Sequence, residues 1–85
     1  MKDYDVLIHP LTTEKSVRLM ESQNKLVFVV NRKANKNMIK EAIESMFSVK
    51  VRKVNTEIRR SRKIAFITLH QDFNAMDIAT KLGII

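Results

Sequence analysis

The stretch "LVFVV", residues 26–30, places five apolar residues in succession, and three of them are valine. A strand with one face in water alternates apolar and polar residues, whereas a strand covered on both faces is apolar throughout. The segment therefore predicts a strand buried on both faces. A chain of 85 residues has room for only one core around such a strand. We expect residues 1–85 to form a single domain.

A proline separates a strand candidate from a helix candidate in the first part of the chain. Residues 5–8 ("DVLI") are a short strand candidate, and Pro10 is expected to interrupt the chain directly after it. Thr12 or Thr13 can then cap a helix that ends near residues 22–24, because a threonine hydroxyl accepts a hydrogen bond from an unpaired N–H group at a helix start. This part of the chain predicts a strand followed by a helix.

Two further helices are predicted from apolar residues that recur every three or four positions. One begins after Asn35, and its apolar face consists of Met38, Ile39, Ala42, Ile43 and Met46. The other begins at Asn74 and ends before Gly83, in the position where a left-handed residue caps a helix. Its apolar face consists of Phe73, Met76, Ala79 and Leu82.

Two strands joined by a short turn are predicted between these helices. Residues 49–59 and 63–69 are the strands, and the turn lies near "RRSR". The order of elements is then β-α-β-α-β-β-α. This order indicates an α+β fold in which helices pack on a four-stranded antiparallel sheet.

The first strand of this pair changes phase part-way along. Side chains alternate between the two faces of a regular strand, so Val51 and Val54 would point in opposite directions. A β-bulge near Arg52 and Lys53 adds one residue and returns both valines to one buried face. The sequence predicts such a bulge.

Basic charge is concentrated in residues 50–63, "KVRKVNTEIRRSRK". This stretch holds seven of the sixteen Lys and Arg residues and one acid, Glu57, so it carries +6 of the net charge of +7. The excess in one place is typical of a surface that binds a polyanion. Lysines on an exposed strand can also serve only to prevent edge-to-edge aggregation, but seven basic residues exceed what that role requires.

We expect this stretch to be a phosphate-binding surface. Its main phosphate contacts are predicted to be Lys50, Arg52, Lys53, Arg59, Arg60, Arg62 and Lys63. The neutral Asn55 and Thr56 are expected to support them on sugar or backbone oxygens. Second-tier candidates are Lys15, Arg18, Lys25, Arg32, Lys33 and Lys36. Residues 50–63 hold no aromatic residue, which favours recognition of the shape and backbone of structured RNA over base stacking.

Nothing in the sequence indicates an enzyme. His9 and His70 lie far from any cluster of acids, the chain has no cysteine, and its single glycine, Gly83, excludes a glycine-rich phosphate loop. We expect no catalytic residue, metal, cofactor or small-molecule substrate. The longest apolar run is too short to cross a bilayer, so we expect a cytoplasmic protein without membrane insertion.

Several stretches of the chain resemble one known family. They are "IHPLTTEKSVRLME", "NKLVFVV", the helix around "IKEAIE", "VRKVNT" and "RKIAFITL". Together they resemble the large-subunit ribosomal protein family numbered twenty-three, of the universal uL23 type, from about Val6 to the end of the chain. The short hairpin and the ending "KLGII" are similar to archaeal members. Members commonly have a glycine in the hairpin turn, and "RRSR" has none, so a looser loop is expected.

The resemblance implies a structural protein bound to large-subunit rRNA beside the exit of the nascent-chain tunnel, among neighbouring ribosomal proteins. It also implies a docking site for the signal recognition particle or other exit-site factors, and it assigns that role to Glu14 of the "TEK" motif. Such a protein is ribosome-bound in the cytoplasm. Two alternatives stay open: a basic protein-interaction module, and a free-standing binder of structured RNA.

Overall fold

Four strands form one antiparallel sheet, and helices pack against it. The computed structural model describes residues 3–83, with side chains from Asp5 onward, so both ends of the chain, including the last two residues of "KLGII", lie outside the described residues. The elements are α1 (Asp3–Val6), β1 (Leu7–Pro10), α2 (Glu14–Gln23), β2 (Lys25–Val30), α3 (Lys36–Phe47), β3 (Val51–Arg59), β4 (Arg62–Leu69) and α4 (Ala75–Leu82). The predicted fold class and order are confirmed, with one additional helical turn, α1, before the first strand.

The first strand lies two residues later than predicted. Asp5 and Val6 belong to the helical turn α1, and the strand runs from Leu7 to Pro10. Pro10 is tolerated inside it because β1 is an edge strand, where a missing backbone N–H group need not break the pairing of the sheet. The prediction that the proline interrupts the chain after the strand is therefore wrong.

The strands β2 and β4 form the centre of the sheet, whose order is β1-β2-β4-β3. Five of the six residues of β2 are buried, which confirms the predicted central strand. Residues directly opposite each other in an antiparallel pair share a face, and the register pairs Leu26 with Ile67 and Phe28 with Ala65. All four belong to the hydrophobic core. We call this face of the sheet the inner face and the opposite one the outer face.

A bulge in β3 confirms the phase change predicted from the sequence. The strand pairing shifts between Val51 and Lys53, which leaves Arg52 as the extra residue. Val51 and Val54 are consequently both buried, whereas Arg52 and Lys53 are both exposed. Burial then falls along the strand towards the turn, where Ile58 is 55% exposed although its side chain lies on the inner face.

The turn between β3 and β4 contains only two residues. Arg59 pairs with Arg62, so Arg60 and Ser61 alone connect the strands. Both have left-handed φ angles, 47° and 68°, which define a type I′ turn whose twist matches that of the paired strands. The expected looser loop is therefore wrong. Each left-handed residue other than glycine costs about 1–2 kcal/mol, and the pairing of the two strands offsets that cost.

Thr13, one of the two predicted candidates, caps α2. Its hydroxyl accepts a hydrogen bond from the Ser16 N–H (3.1 Å), while the Ser16 hydroxyl accepts one from the Thr13 N–H (2.8 Å). Asn24 caps the end of the helix, with a left-handed φ of 55°. The Asn24 amide donates to the Phe73 carbonyl and accepts from the Ala75 N–H, both at 2.7 Å. These two bonds fix the end of α2 to the start of α4.

The predicted caps of α3 and α4 are confirmed. The Asn35 side chain accepts a hydrogen bond from the Met38 N–H, and the Asn74 side chain accepts one from the Met76 N–H, each at 2.8 Å. Gly83 ends α4 with a φ of 74°, a conformation that glycine adopts without steric cost.

Two residues of the predicted apolar helix faces lie at the rim of the core. In α3, Met46 is 47% exposed because Phe47 turns inward instead, with its ring centre 6.3 Å from that of Phe28. In α4, Leu82 is 37% exposed, and Ile78 is buried in its place. The assignment of Met46 and Leu82 to the core is wrong, because apolar spacing does not determine the rotation of a helix to within one position.

Candidate nucleic-acid interface

The basic residues of the hairpin form two separate groups. A tip group surrounds the turn and consists of Arg59, Arg60, Arg62 and Lys63. A base group lies at the start of β3 and consists of Lys50, Arg52 and Lys53. Lys53 and Arg59 are six positions apart along β3, so the groups are separated by about 20 Å, at roughly 3.3 Å per residue of strand. The hairpin therefore presents two separate basic groups rather than one continuous cluster.

The tip arginines lie on the outer face of the sheet. Arg59 and Arg62 are directly paired, so their side chains share this face, and both are exposed. Glu57, two positions before Arg59, lies on the same face, and its Oε1 forms an ion pair with the Arg59 Nε. The one acid of residues 50–63 therefore pairs with one of the tip arginines.

Lys63 is on the inner face, away from these arginines. It is half-buried, and its ammonium group donates a hydrogen bond to the Ala34 carbonyl in the loop before α3. This contact ties the start of β4 to that loop. The sequence alone places Lys63 next to Arg62, but the pleat of the strand separates their side chains.

Two second-tier candidates lie close to the tip. The Arg32 guanidinium, from the loop after β2, lies 3.4 Å from the Ser61 carbonyl in the turn. Lys15, from the first turn of α2, lines the same cavity as Arg60 and Arg62. The structure thus adds two cations from distant parts of the chain to the tip of the hairpin.

Another second-tier candidate joins the base of the hairpin. Thr68 of β4 pairs with Lys25 of β2 on one side and with Lys53 of β3 on the other. The two lysines are therefore on the outer face, two strand spacings apart, which is about 10 Å. Arg52 is exposed at the bulge beside them.

The two neutral polar candidates are on opposite faces of β3. Asn55 pairs with Phe66 on the outer face, and Thr56 pairs with Ala65 on the inner face. Both are half-buried. Only Asn55 therefore shares a face with the tip arginines.

The remaining candidates lie around the starts of α2 and α3. Glu14 and Arg18 form an ion pair with 2.8 Å between Oε1 and Nη2, and their side chains are 82% and 75% exposed. Lys33 and Lys36 are exposed just before α3 and in its first turn. These four residues do not belong to the hairpin surface.

The outer face also carries an open cavity of about 330 Å³ between α2 and the hairpin tip. Phe66 lies on its floor and is half-buried, and Arg59, Arg60 and Arg62 lie on its rim. This aromatic side chain lies outside residues 50–63, so the sequence prediction did not include it. The position of the turn would have been enough to locate Phe66. Once Arg59 is paired with Arg62, the antiparallel register places Phe66 directly opposite Asn55.

Neither a metal centre nor a membrane span is evident in the part of the chain that the structure describes. Among the side chains of residues 5–83, no three from His, Asp or Glu gather closely enough to hold a metal ion. His70 instead faces Asp72, with 3.2 Å between Nδ1 and Oδ2. In the same range no helix has the length and apolar character needed to cross a bilayer.

Comparison with known proteins identifies the family of this chain. The model of the family described as ribosomal protein L23 matches residues 5–74, from α1 to the cap of α4. The chain belongs to the ribosomal protein L23 family. This is a family of ribosomal proteins rather than of enzymes. The resemblance stated from the sequence is therefore confirmed.

Two archaeal relatives match this chain over nearly its whole length. The large ribosomal subunit protein uL23 of Picrophilus torridus is 46% identical over 80 residues, which cover 94% of this chain and 98% of the relative. The protein of the same name from Methanothermobacter thermautotrophicus is 46% identical over 85 residues, which cover 99% of each chain. Both alignments extend into α4, beyond the range of the family model.

Proposed function

We propose that this L23-family protein is a structural constituent of the large ribosomal subunit and binds large-subunit rRNA through its basic hairpin. Family membership and the names of the archaeal relatives support the ribosomal part of this proposal. A ribosome-bound protein of this kind is cytoplasmic. The rRNA part rests on one observation: residues 50–63, on a two-stranded hairpin, carry +6 of the net charge of +7.

The hairpin suits a polyanion of defined shape. A disordered basic tail can follow any arrangement of phosphates, but the paired strands hold the tip and base groups at a separation of about 20 Å. RNA with phosphates at that separation contacts both groups, and the protein loses little conformational freedom because its cations are already in place. We infer recognition of the backbone shape of folded RNA, as is usual for double-stranded regions.

We also propose that the protein lies beside the tunnel exit, among neighbouring ribosomal proteins, and that the signal recognition particle or another exit-site factor docks at Glu14. The resemblance to the family supports the location. Glu14 is 82% exposed at the first position of α2, and Arg18 pairs with it without covering it. Exposed ion pairs of this kind contribute only about 0–1 kcal/mol, so a basic partner surface can replace Arg18 at little cost.

Charge reversal at the tip tests rRNA binding. Arg60→Glu combined with Arg62→Glu should abolish binding to a large-subunit rRNA transcript at physiological salt, with the fold unchanged by circular dichroism. The matched control is Lys40→Glu combined with Lys81→Glu, which makes the same change in net charge at two exposed lysines away from the hairpin. Equal binding by the tip variant and the control would contradict the proposal.

The two alternative functions predict different behaviour in lysates. A basic protein-interaction module keeps its partners after nuclease treatment, and a free-standing RNA binder sediments apart from ribosomes in a sucrose gradient. The proposed function predicts migration with the large subunit and release of the protein when the rRNA is digested.

A further inference from the structure

The cavity on the outer face has a floor that phosphate contacts do not explain. Five apolar side chains form this floor: Leu11, Leu19, Val27, Ile64 and Phe66. They come from the segment before α2, from α2 itself and from the two central strands. The long side chains of the hairpin tip lie at one side of the floor and α2 at another. The result is an apolar recess within the surface that we propose faces rRNA.

The rim of this cavity is strongly positive. Four of the described residues that line it are basic, namely Lys15, Arg59, Arg60 and Arg62, and none of the described lining residues is acidic. Arg59 pairs with Glu57, but the other three of these cations have no ion-pair partner in the part of the chain that the structure describes, and an occupant that is only apolar would leave them without counter-charge. The charge of the rim therefore complements an anionic ligand that also has an apolar part.

Phe66, on the floor, and Asn55, its neighbour on the outer face of the sheet, have features that fit a nucleobase. Phe66 is half-buried, and it lies between Val27 of β2 and Asn55 of β3 on the outer face. An aromatic ring on an open sheet face can stack with an unpaired base. The neighbouring side-chain amide of Asn55 has both a donor and an acceptor for the edge of that base.

We propose that the cavity receives one unstacked nucleotide of the bound rRNA, with its base on Phe66 and its phosphates on the arginine rim. A nucleotide joins a flat aromatic base to a phosphate, which is the combination that this floor and rim present. The proposal rests on the proposed rRNA binding. It adds to that function a contact that depends on an unpaired base, separate from the recognition of backbone shape.

Phe66→Leu tests the proposal, because leucine keeps the apolar floor and removes the aromatic ring. We expect affinity for a large-subunit rRNA transcript to fall roughly 5- to 150-fold, the loss of one stacked base. The slope of affinity against salt concentration should not change, because no charge is lost. Phe66→Tyr, which retains the ring, should bind like the original protein.

Two control variants separate stacking from charge and from general surface effects. Arg62→Gln should lower the salt slope by about one, as expected for a phosphate contact. Ile58→Ala removes an exposed apolar side chain from the inner face and should change neither the affinity for the transcript nor the salt slope. Chemical probing of the transcript should show one unpaired base that the original protein protects and Phe66→Leu leaves reactive.

The outcomes distinguish this inference from the proposed function. If the original protein does not bind the transcript, the proposed function fails and this inference fails with it. If the original protein binds and Phe66→Leu binds equally well, with the same protected bases, only the nucleotide site is contradicted. Normal rRNA affinity of Phe66→Leu together with loss of a protein from the ribosome would also overturn it, because the cavity would then bind a polypeptide.

Discussion

At the scale of single residues, the hairpin turn shows the clearest conflict between local preference and observed conformation. Arg60 and Ser61 are both left-handed, in a turn type that favours Asn-Gly. The basic residue at the first position places a third arginine at the tip, beside Arg59 and Arg62. The turn thus combines an unfavourable backbone conformation with charge at the place where we propose RNA binds.

Replacement of the turn should stabilise the protein and weaken its RNA binding. Arg60→Asn combined with Ser61→Gly should raise the free energy of unfolding by about 1 kcal/mol, because both new residues accept a left-handed backbone more readily. The same variant should bind rRNA less tightly, since it lacks Arg60. Urea unfolding and transcript binding measure the two effects.

A glycine in an ordinary helical position provides the control for the turn. Ser22→Gly, in α2, should lower the free energy of unfolding by about 0.5–1 kcal/mol, because glycine loses more conformational freedom there. Destabilisation by the turn variant as well would show that the left-handed positions are not strained.

At the scale of elements, the bulge in β3 determines which side chains of the hairpin base are exposed. A regular strand would bury one of the two basic residues between Val51 and Val54 or turn one valine outward. The bulge keeps both valines inside and both Arg52 and Lys53 in solvent. One extra residue therefore adds a cation to the base group without disturbing the core.

Deletion variants of β3 should differ sharply in stability. Deletion of Arg52 removes the extra residue and leaves Val51, Lys53 and Val54 in regular alternation, so we expect the free energy of unfolding to change little. Deletion of Asn55 moves Val54 to the outer face and Lys53 to the inner face. We therefore expect the free energy of unfolding to fall by several kcal/mol, or the variant not to fold. Circular dichroism with urea unfolding measures both, and equal stability of the two variants would contradict the role given to the bulge.

At the scale of the whole molecule, the two basic groups should contribute to rRNA binding independently. Lys50→Gln with Lys53→Gln, and Arg60→Gln with Arg62→Gln, should each lower the salt slope of binding by about two, and the four changes together by about four. Additivity is expected because the groups are about 20 Å apart and share no partner in the hairpin.

The control for this series is Lys40→Gln with Lys81→Gln, two exposed lysines on α3 and α4. This variant should leave the slope unchanged. A slope that falls equally for the control and the hairpin variants would indicate that net charge, rather than the hairpin, governs binding.

The proposed docking site should be separable from the rRNA-binding surface. Glu14→Ala should weaken co-sedimentation of the signal recognition particle with ribosomes that carry the variant, because it removes the exposed charge at the start of α2. Assembly into the large subunit should be normal. Glu21→Ala, which removes another exposed acid of α2, is the control and should affect neither. Loss of assembly by Glu14→Ala would instead indicate a structural or RNA-facing role.

The sequence by itself determined the features that depend on neighbouring residues along the chain. Apolar spacing and capping residues specified the order of the elements, and the phase change specified the bulge at Arg52. The charge of residues 50–63 was also visible without a structure. Such features are local, since a strand or helix period and a cap each involve only a few consecutive residues. Local patterns did not predict the bounds of the first strand or the exposure of Met46 and Leu82, because these features depend on how each element packs against the others.

The tertiary structure alone decided which of the basic residues lie close together. The register of the sheet places Phe66 beside Asn55. The packing of α2 and of the loop after β2 places Lys15 and Arg32 near the hairpin tip. The pleat of β4 places the Lys63 side chain on the inner face. These relationships connect residues up to 47 positions apart, as for Lys15 and Arg62, so no periodicity within a single element contains them. A surface for rRNA could be predicted from charge counted along the chain, whereas the arginine-rimmed cavity exists only because three strands and a helix fold against one another.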